Sequence, residues 1–255
     1  MIAISRTYKV IFRSKKVYFY TIFLLYSLFS FTSSVAVART ISFAGREWVV
    51  RSGSGGPGPN SWSDSTASVW VDSDGLHLKI RKVGEVWYCA EVTSREPAQY
   101  GMHRFYVSSR IDRLDKNVVA SPFLYANDSQ EIDIEFSTWQ NANSNSNNAQ
   151  FVLQPYNLPG NMERFLIDLP DGPSTHYFDW TSSTIRFKSF FGHSPEPPDS
   201  SSLIRDWTYS GKSNPPQSAN LRIHFNLWLI KGQAPSDGQE VEFVIKSADL
   251  PPPLK

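Results

Sequence analysis

A single cysteine, Cys89, stands in 255 residues, so no disulfide can close within the chain and no cysteine-based zinc set can form. The five histidines (His77, His103, His176, His193, His224) are scattered and keep no metal-ligand spacing. Charge of one sign is also lacking. Lys and Arg number 25 against 24 Asp and Glu, a balance that excludes an electrostatic case for nucleic acid or an anionic membrane surface. Apolar residues never recur at i, i+3, i+4 and i+7 over a sustained stretch, so helix is expected to be scarce. Neither an internal repeat nor a dividing linker is present.

What is there begins with a leader. Arg6, Lys9, Arg13, Lys15 and Lys16 precede the apolar run VYFYTIFLLYSLFSF, and Ala36-Val37-Ala38 supplies a small-x-small cleavage pattern. Residues 1–38 are therefore expected to be a secretory signal peptide and the protein to be extracellular. The run is short of the roughly 20 residues that span a bilayer comfortably, so contact with a membrane is expected only through this segment left uncleaved. Removal of the leader would leave 20 Lys and Arg (25 − 5) against 24 Asp and Glu, a formal charge of −4. The remainder, residues 39–250 with a loose tail at 251–255, is long enough for one domain with a substantial core.

That remainder alternates Val-, Ile-, Phe-, Tyr- and Trp-rich stretches with Gly, Pro, Ser, Asn and Asp. Strands are expected over 67–72, 76–82, 86–93, 103–109, 131–139, 150–154, 184–191, 221–229 and 240–247, and loops over 52–65, 141–149 and 193–202. The pattern is that of an antiparallel all-β protein. In LRIHFNLWL, Leu221, Ile223, Phe225, Leu227 and Leu229 share one face, and Arg222, His224, Asn226 and Trp228 share the other. The second set suits the C–H face and hydroxyls of a sugar; it also suits an ordinary solvent face with one half-covered tryptophan.

The segment QEIDIEFSTW poses the sharpest question. Glu131, Asp133 and Glu135 fall on one face with Ser137 and Trp139, while Ile132, Ile134 and Phe136 fall on the other. A solvated face would be served by mixed polar residues. A cation site would need about 6 to 8 oxygens around a calcium ion, which a straight row does not supply by itself. Acetal hydrolysis needs one carboxylic acid at the leaving oxygen and one carboxylate at the anomeric carbon, about 5 to 5.5 Å apart for retention or about 6.5 to 9.5 Å for inversion. Close packing of like charges can keep one acid protonated near neutral pH. From the residues alone, these readings stay open.

EIDIEF resembles the E-x-D-x-E signature of glycoside hydrolase family 16, in the unbulged form of lichenases, endo-β-glucanases and xyloglucan transglycosylases. YGMHRFYVSSRIDRLDKNVVASPFLY, AQFVLQPY and FNLWL resemble the family's flanking segments, in the same order. The resemblance implies a two-sheet antiparallel jelly-roll sandwich of the concanavalin-like kind. It implies a retaining enzyme with Glu131 as nucleophile, Glu135 as acid and base, and Asp133 as electrostatic helper. Asn226 and Trp228 match its N-x-W sugar contacts. Face geometry adds Trp139 and His224, and Gln150 and Gln154 are candidate hydroxyl partners.

The expected function is a secreted endo-β-glycosidase acting on a polysaccharide such as a β-glucan. A transglycosylase on the same substrates, a non-catalytic carbohydrate-binding jelly roll, and a surface protein using the acids for a cation are the alternatives. No cofactor is expected, calcium on the far face is left open, and the chain is expected to be a monomer. Two departures from the lichenase pattern bear on the substrate. Ser129 stands where a tryptophan is usual, and Val152 and Gln154 stand where Asn and Tyr are usual. Asn127-Asp128-Ser129 is a glycosylation sequon beside the proposed site, where a glycan would obstruct substrate.

Overall fold

The computed structural model describes residues 38–141, 146–213, 215–217 and 220–253. The expected leader lies outside the described residues except for Ala38, as do residues 142–145 of the Asn-rich loop and 254–255 of the tail. The strands, in chain order, are β1 (Thr40–Phe43), β2 (Arg46–Val50), β3 (Gly53–Gly55), β4 (Asn60–Trp62), β5 (Val69–Asp72), β6 (Gly75–Val83), β7 (Val86–Pro97), β8 (Gly101–Val107), β9 (Val118–Asn127) and β10 (Gln130–Phe136). They continue with β11 (Ala149–Leu153), β12 (Met162–Phe165), β13 (Ser174–Trp180), β14 (Ile185–Phe191), β15 (Leu203–Thr208), β16 (Arg222–Leu229) and β17 (Val241–Asp249). Helix is confined, among the described residues, to two single 3-10 turns, Ile111–Arg113 and Ile230–Gly232. None of it is long and apolar enough to cross a membrane.

Pairing resolves the strands into two sheets. The first runs β1–β2–β7–β16–β9–β10–β11–β12. The second runs β5–β6–β17–β8–β13–β14–β15. All these pairings are antiparallel, and the β6–β7 hairpin, with Val83 opposite Val86, stitches one sheet to the other. This is the antiparallel all-β architecture that the alternation implied and the jelly-roll sandwich that the family resemblance implied. One pair departs from it: β4 lies parallel to β7, with Ser61 opposite Tyr88.

Aromatic rings fill the space between the sheets. Phe225 on β16 meets Phe105 on β8 edge-on at 5.5 Å, and Phe151 on β11 stacks on Phe187 of β14 at 4.9 Å. Each such ring, wholly buried, contributes roughly 1.5–3 kcal/mol of transfer free energy. Two histidines share this interior. His176 is held by Ser189 Oγ at 2.7 Å and Ser174 Oγ at 2.8 Å, and burial pushes it down to about 3, so it is neutral. His103 is likewise pushed down to about 3 by burial. Cys89 is buried and its thiol is pushed up to about 12, again by burial, which leaves it unreactive.

Several expectations need correction. The expected strand over 131–139 ends at Phe136. The Gly- and Pro-rich stretch 52–65, expected as loop, carries the β3–β4 hairpin, because Trp62 is pulled into the core at 2 % exposure and its indole N–H donates to Gly55 O at 3.0 Å. β13 escaped the pattern search because its inward side is mixed. His176 and Ser174 are wholly buried there alongside Phe178 and Trp180.

Candidate active site

β10 forms the floor of an open trough of about 1080 Å³ on the outer face of the first sheet. Strand alternation does the sorting: Ile132, Ile134 and Phe136 are fully buried between the sheets, while Glu131, Asp133 and Glu135 line the trough. Pairing is regular across the three acids, with the only register shift against β9 lying earlier, between Gln130 and Glu131. On one side, Glu135 faces Gln150 and Asp133 faces Val152 of β11; on the other, Glu131 faces Tyr125 and Asp133 faces Phe123 of β9.

The three carboxyl groups are electrostatically linked. Asp133 is 2 % exposed, and its Oδ1 has no hydrogen-bond donor among the described residues. Its carboxyl neighbours that of Glu131 on the same face of the strand. Burial first, then the charges of Glu131 and Glu135, hold Asp133 well above the ordinary carboxyl range. Burial also pushes Glu131 up to about 8, reinforced by the charges of Glu135, Asp128 and Glu91 and opposed by the bond from Asp133. Glu135 is raised by burial too, against the Gln150 amide donor and the Arg164 charge. Gln154 Nε2 donates to Asp133 Oδ2 at 3.3 Å.

One wall is built by β7 and β16. Arg51 Nη1 donates to Glu91 Oε2 at 2.6 Å, and His224 Nδ1 donates to Glu91 Oε1 at 3.0 Å, with Thr93 Oγ1 3.1 Å from the same nitrogen. Burial pushes Glu91 up, but His224 and Arg51 outweigh it and hold the carboxyl below its ordinary value. His224 also packs on Phe123 at 4.7 Å. Asn226 is 4 % exposed and its Oδ1 has no partner among the described residues. The opposite wall comes from β11, β12 and the turn after β10. Arg164 Nε donates to Gln150 Oε1 at 2.9 Å, Gln150 Nε2 donates to Glu135 Oε2, and the Arg164 guanidinium lies 4.6 Å over the Trp139 ring.

The structure brings every sequence-derived candidate to this trough: Glu131, Asp133, Glu135, Trp139, Gln150, Gln154, His224, Asn226 and Trp228. Trp139 arrives by a different route from the one expected. It sits beyond the strand in a left-handed turn, with φ 46° at Trp139 and 66° at Gln140, and its N–H donates to Ser137 Oγ at 3.0 Å. Arg51, Glu91, Tyr125 and Arg164 were missed. Glu91 was readable, since Ala90 and Val92 on either side are core residues; Arg51 comes from the short link between β2 and β3, and Arg164 from a four-residue strand, neither of which carries such a signal. The sequon Asn127 is exposed in the β9–β10 turn, where its Oδ1 accepts from Ser129 N at 3.1 Å. Among the described residues no cluster of three or more His, Cys, Asp and Glu is arranged to hold a metal ion.

No family model matches the sequence, and no curated protein is similar to it at the sequence level. Solved structures are similar in fold. A β-glucanase of Bacillus licheniformis superposes with a TM-score of 0.57 at 19% identity, covering 79% of this chain and 90% of the other. A family 16 enzyme from a mixed-linkage glucan locus of Bacteroides ovatus, solved with a G4G4G3G product, gives 0.57 at 15% identity, covering 80% and 94%. The chain has the glycoside hydrolase family 16 fold. The Crh5 transglycosylase, solved with NAG, is also similar, with a TM-score of 0.52 at 16% identity over 79% of this chain and 76% of the other.

Proposed function

We propose that the chain is a secreted retaining endo-β-glycosidase that cleaves a β-linked polysaccharide, such as a β-glucan, by double displacement. The observation that carries this reading is the row of three neighbouring acids at the floor of an open trough, all three raised above the ordinary carboxyl range, with Glu135 approached separately by an amide donor. A solvated strand face needs none of this, and a glycan-binding protein has no use for three mutually repelling carboxyls, one buried and two half-buried.

In the reaction, Asp133 stays protonated while Glu131 acts in its ionised form, whose share grows as pH climbs toward about 8. Glu131 forms the C–O bond at the anomeric carbon while Glu135 gives its proton to the departing glycosidic oxygen. Glu135, now ionised, takes a proton from water, whose oxygen displaces Glu131 and restores the starting carboxylate. Trp228 and Trp139 supply ring faces for pyranose C–H groups, and Asn226 Oδ1 is a free acceptor for a sugar hydroxyl. The trough holds Glu91, Asp128 and the three floor acids, while Arg51 and Arg164 are already engaged; this favours a neutral glycan over an anionic one. Secretion rests on the leader pattern alone.

Release of reducing ends from a panel of β-glucans, galactans and xyloglucan tests the assignment. Glu131→Ala and Glu135→Ala are each expected to lower it about 10³-fold or more. Equal release by the wild type and both variants would remove the assignment. Transglycosylation shares the first step, and the likeness to Crh5 in fold supports it as the second reading. Lengthened products from labelled acceptor oligosaccharides, in place of free reducing ends, would establish it.

A further inference from the structure

We propose that Arg164 and Gln150 are positioning residues that dictate which oxygen of the Glu135 carboxyl carries the catalytic proton. This rests on the reading of Glu135 as acid and base. The three side chains stand abreast on adjacent strands, with Glu135 opposite Gln150 and Gln150 opposite Arg164. A glutamine amide can face either way, but a guanidinium only donates. The Arg164 Nε bond at 2.9 Å therefore commits Oε1 of Gln150 to the arginine and turns its NH₂ toward Glu135.

The consequence falls on the carboxyl. Glu135 Oε2 is occupied by an N–H donor in either protonation state, since a proton on that oxygen would face another proton. The acidic proton is thus confined to Oε1, which has no hydrogen-bond partner among the described residues and belongs to a side chain lining the trough. An unconstrained carboxyl would divide its proton between two oxygens and aim half of its molecules away from the leaving group. Gln150 is 5 % exposed, so water does not compete well for its amide. Arg164 is exposed, and its hold on Gln150 depends on direction more than on charge. That direction is kept by the Trp139 ring beneath it, itself fixed by the left-handed turn.

The charged groups that surround Glu135 are Glu131 and Asp133 on its own strand and Arg164 on β12. The neighbouring positions on β11, β9 and β16 are filled by Gln150, Ser121 and Asn226, which do not titrate. The amide donor and the arginine both favour the ionised carboxyl against burial, so their loss moves its titration upward.

Carbon NMR of carboxyl-labelled glutamate in the full chain, with Glu135 assigned by comparison with Glu135→Gln, reads this directly. Gln150→Met and Arg164→Met are each expected to raise the Glu135 midpoint by about one pH unit, and the double variant to move little beyond Gln150→Met. Arg164→Lys, which keeps a donor, is expected to remove most of the shift and bring the midpoint back near that of the wild type. In kinetics, both methionine variants should lose about tenfold or more on an unactivated glucan while losing far less on an aryl glycoside, whose leaving group needs no proton. An unmoved Glu135 midpoint in Arg164→Met, or equal losses on the two substrates, would overturn the proposal. If the midpoints shift as expected but the wild type cleaves neither substrate, the glycosidase reading fails and the positioning role falls with it. If the wild type cleaves both and the midpoints stay put, the positioning role fails alone.

Discussion

Both walls of the trough carry an arginine laid over a tryptophan, and the two are put to different use. Arg51 lies 4.0 Å from the Trp62 ring and bonds directly to Glu91, whose second oxygen takes His224. Arg164 lies 4.6 Å from the Trp139 ring and bonds to a neutral amide, which passes the contact on to Glu135. On the first wall the charge is closed against a buried partner and the group is structural. On the second no ion pair closes the arginine among the described residues, and its contact is relayed to Glu135. The same residue pair thus stabilises where an acid completes it and tunes where an amide does.

The largest effect on this contrast should come from Glu91→Ala. It leaves Arg51 and His224 without their shared acid, so a loss of about 3 kcal/mol is expected by urea unfolding. Arg51→Met, which leaves His224 to satisfy Glu91, should cost about 1–2 kcal/mol. Arg164→Met should cost less than about 1 kcal/mol, because the side chain is exposed and its partner is uncharged. Equal losses in Arg51→Met and Arg164→Met would erase the distinction between the walls.

A pH-dependent comparison sharpens it further. Glu131 titrates at about 8 in the folded chain against an ordinary value of 4.5. A raised acid adds stability that is complete below the unfolded value and is lost as pH climbs from 4.5 to about 8. Glu131→Gln has no such loss. Wild type and variant should melt alike near pH 4, and near pH 9 the variant should melt higher, by roughly 10 °C or more. A wild type that gains on the variant as pH rises would contradict the raised value. Glu91, held low by its partners, has the opposite sign, and its contribution fades as pH falls.

Much of this was legible in the chain, for a definite reason. Period-2 alternation in EIDIEF and RIHFNLWL assigns each side chain to core or trough without knowledge of the rest, and the structure keeps those assignments at Ile132, Ile134, Phe225, Asn226 and Trp228. The antiparallel all-β class followed from the same signal, and the jelly-roll sandwich from the family resemblance. What escaped lay where alternation is broken. β13 buries His176 and Thr175 beside its aromatics, and a three-residue strand such as Gly53–Gly55 is too short to show a period. Trp139 was assigned to the right place by the wrong geometry, since a turn with positive φ, not a continued strand, carries it there. Arg164 was invisible because its role depends on two neighbouring strands and on which way an amide points.

The account turns on Glu131 attacking an anomeric carbon, and trapping that intermediate is its most direct test. Incubation with a 2-deoxy-2-fluoro β-glycoside bearing an activated leaving group, followed by digestion and mass spectrometry, should place one sugar on the peptide containing Glu131 and none on it in Glu131→Gln. Turnover without a trapped sugar, or the label on Glu135, would contradict the account.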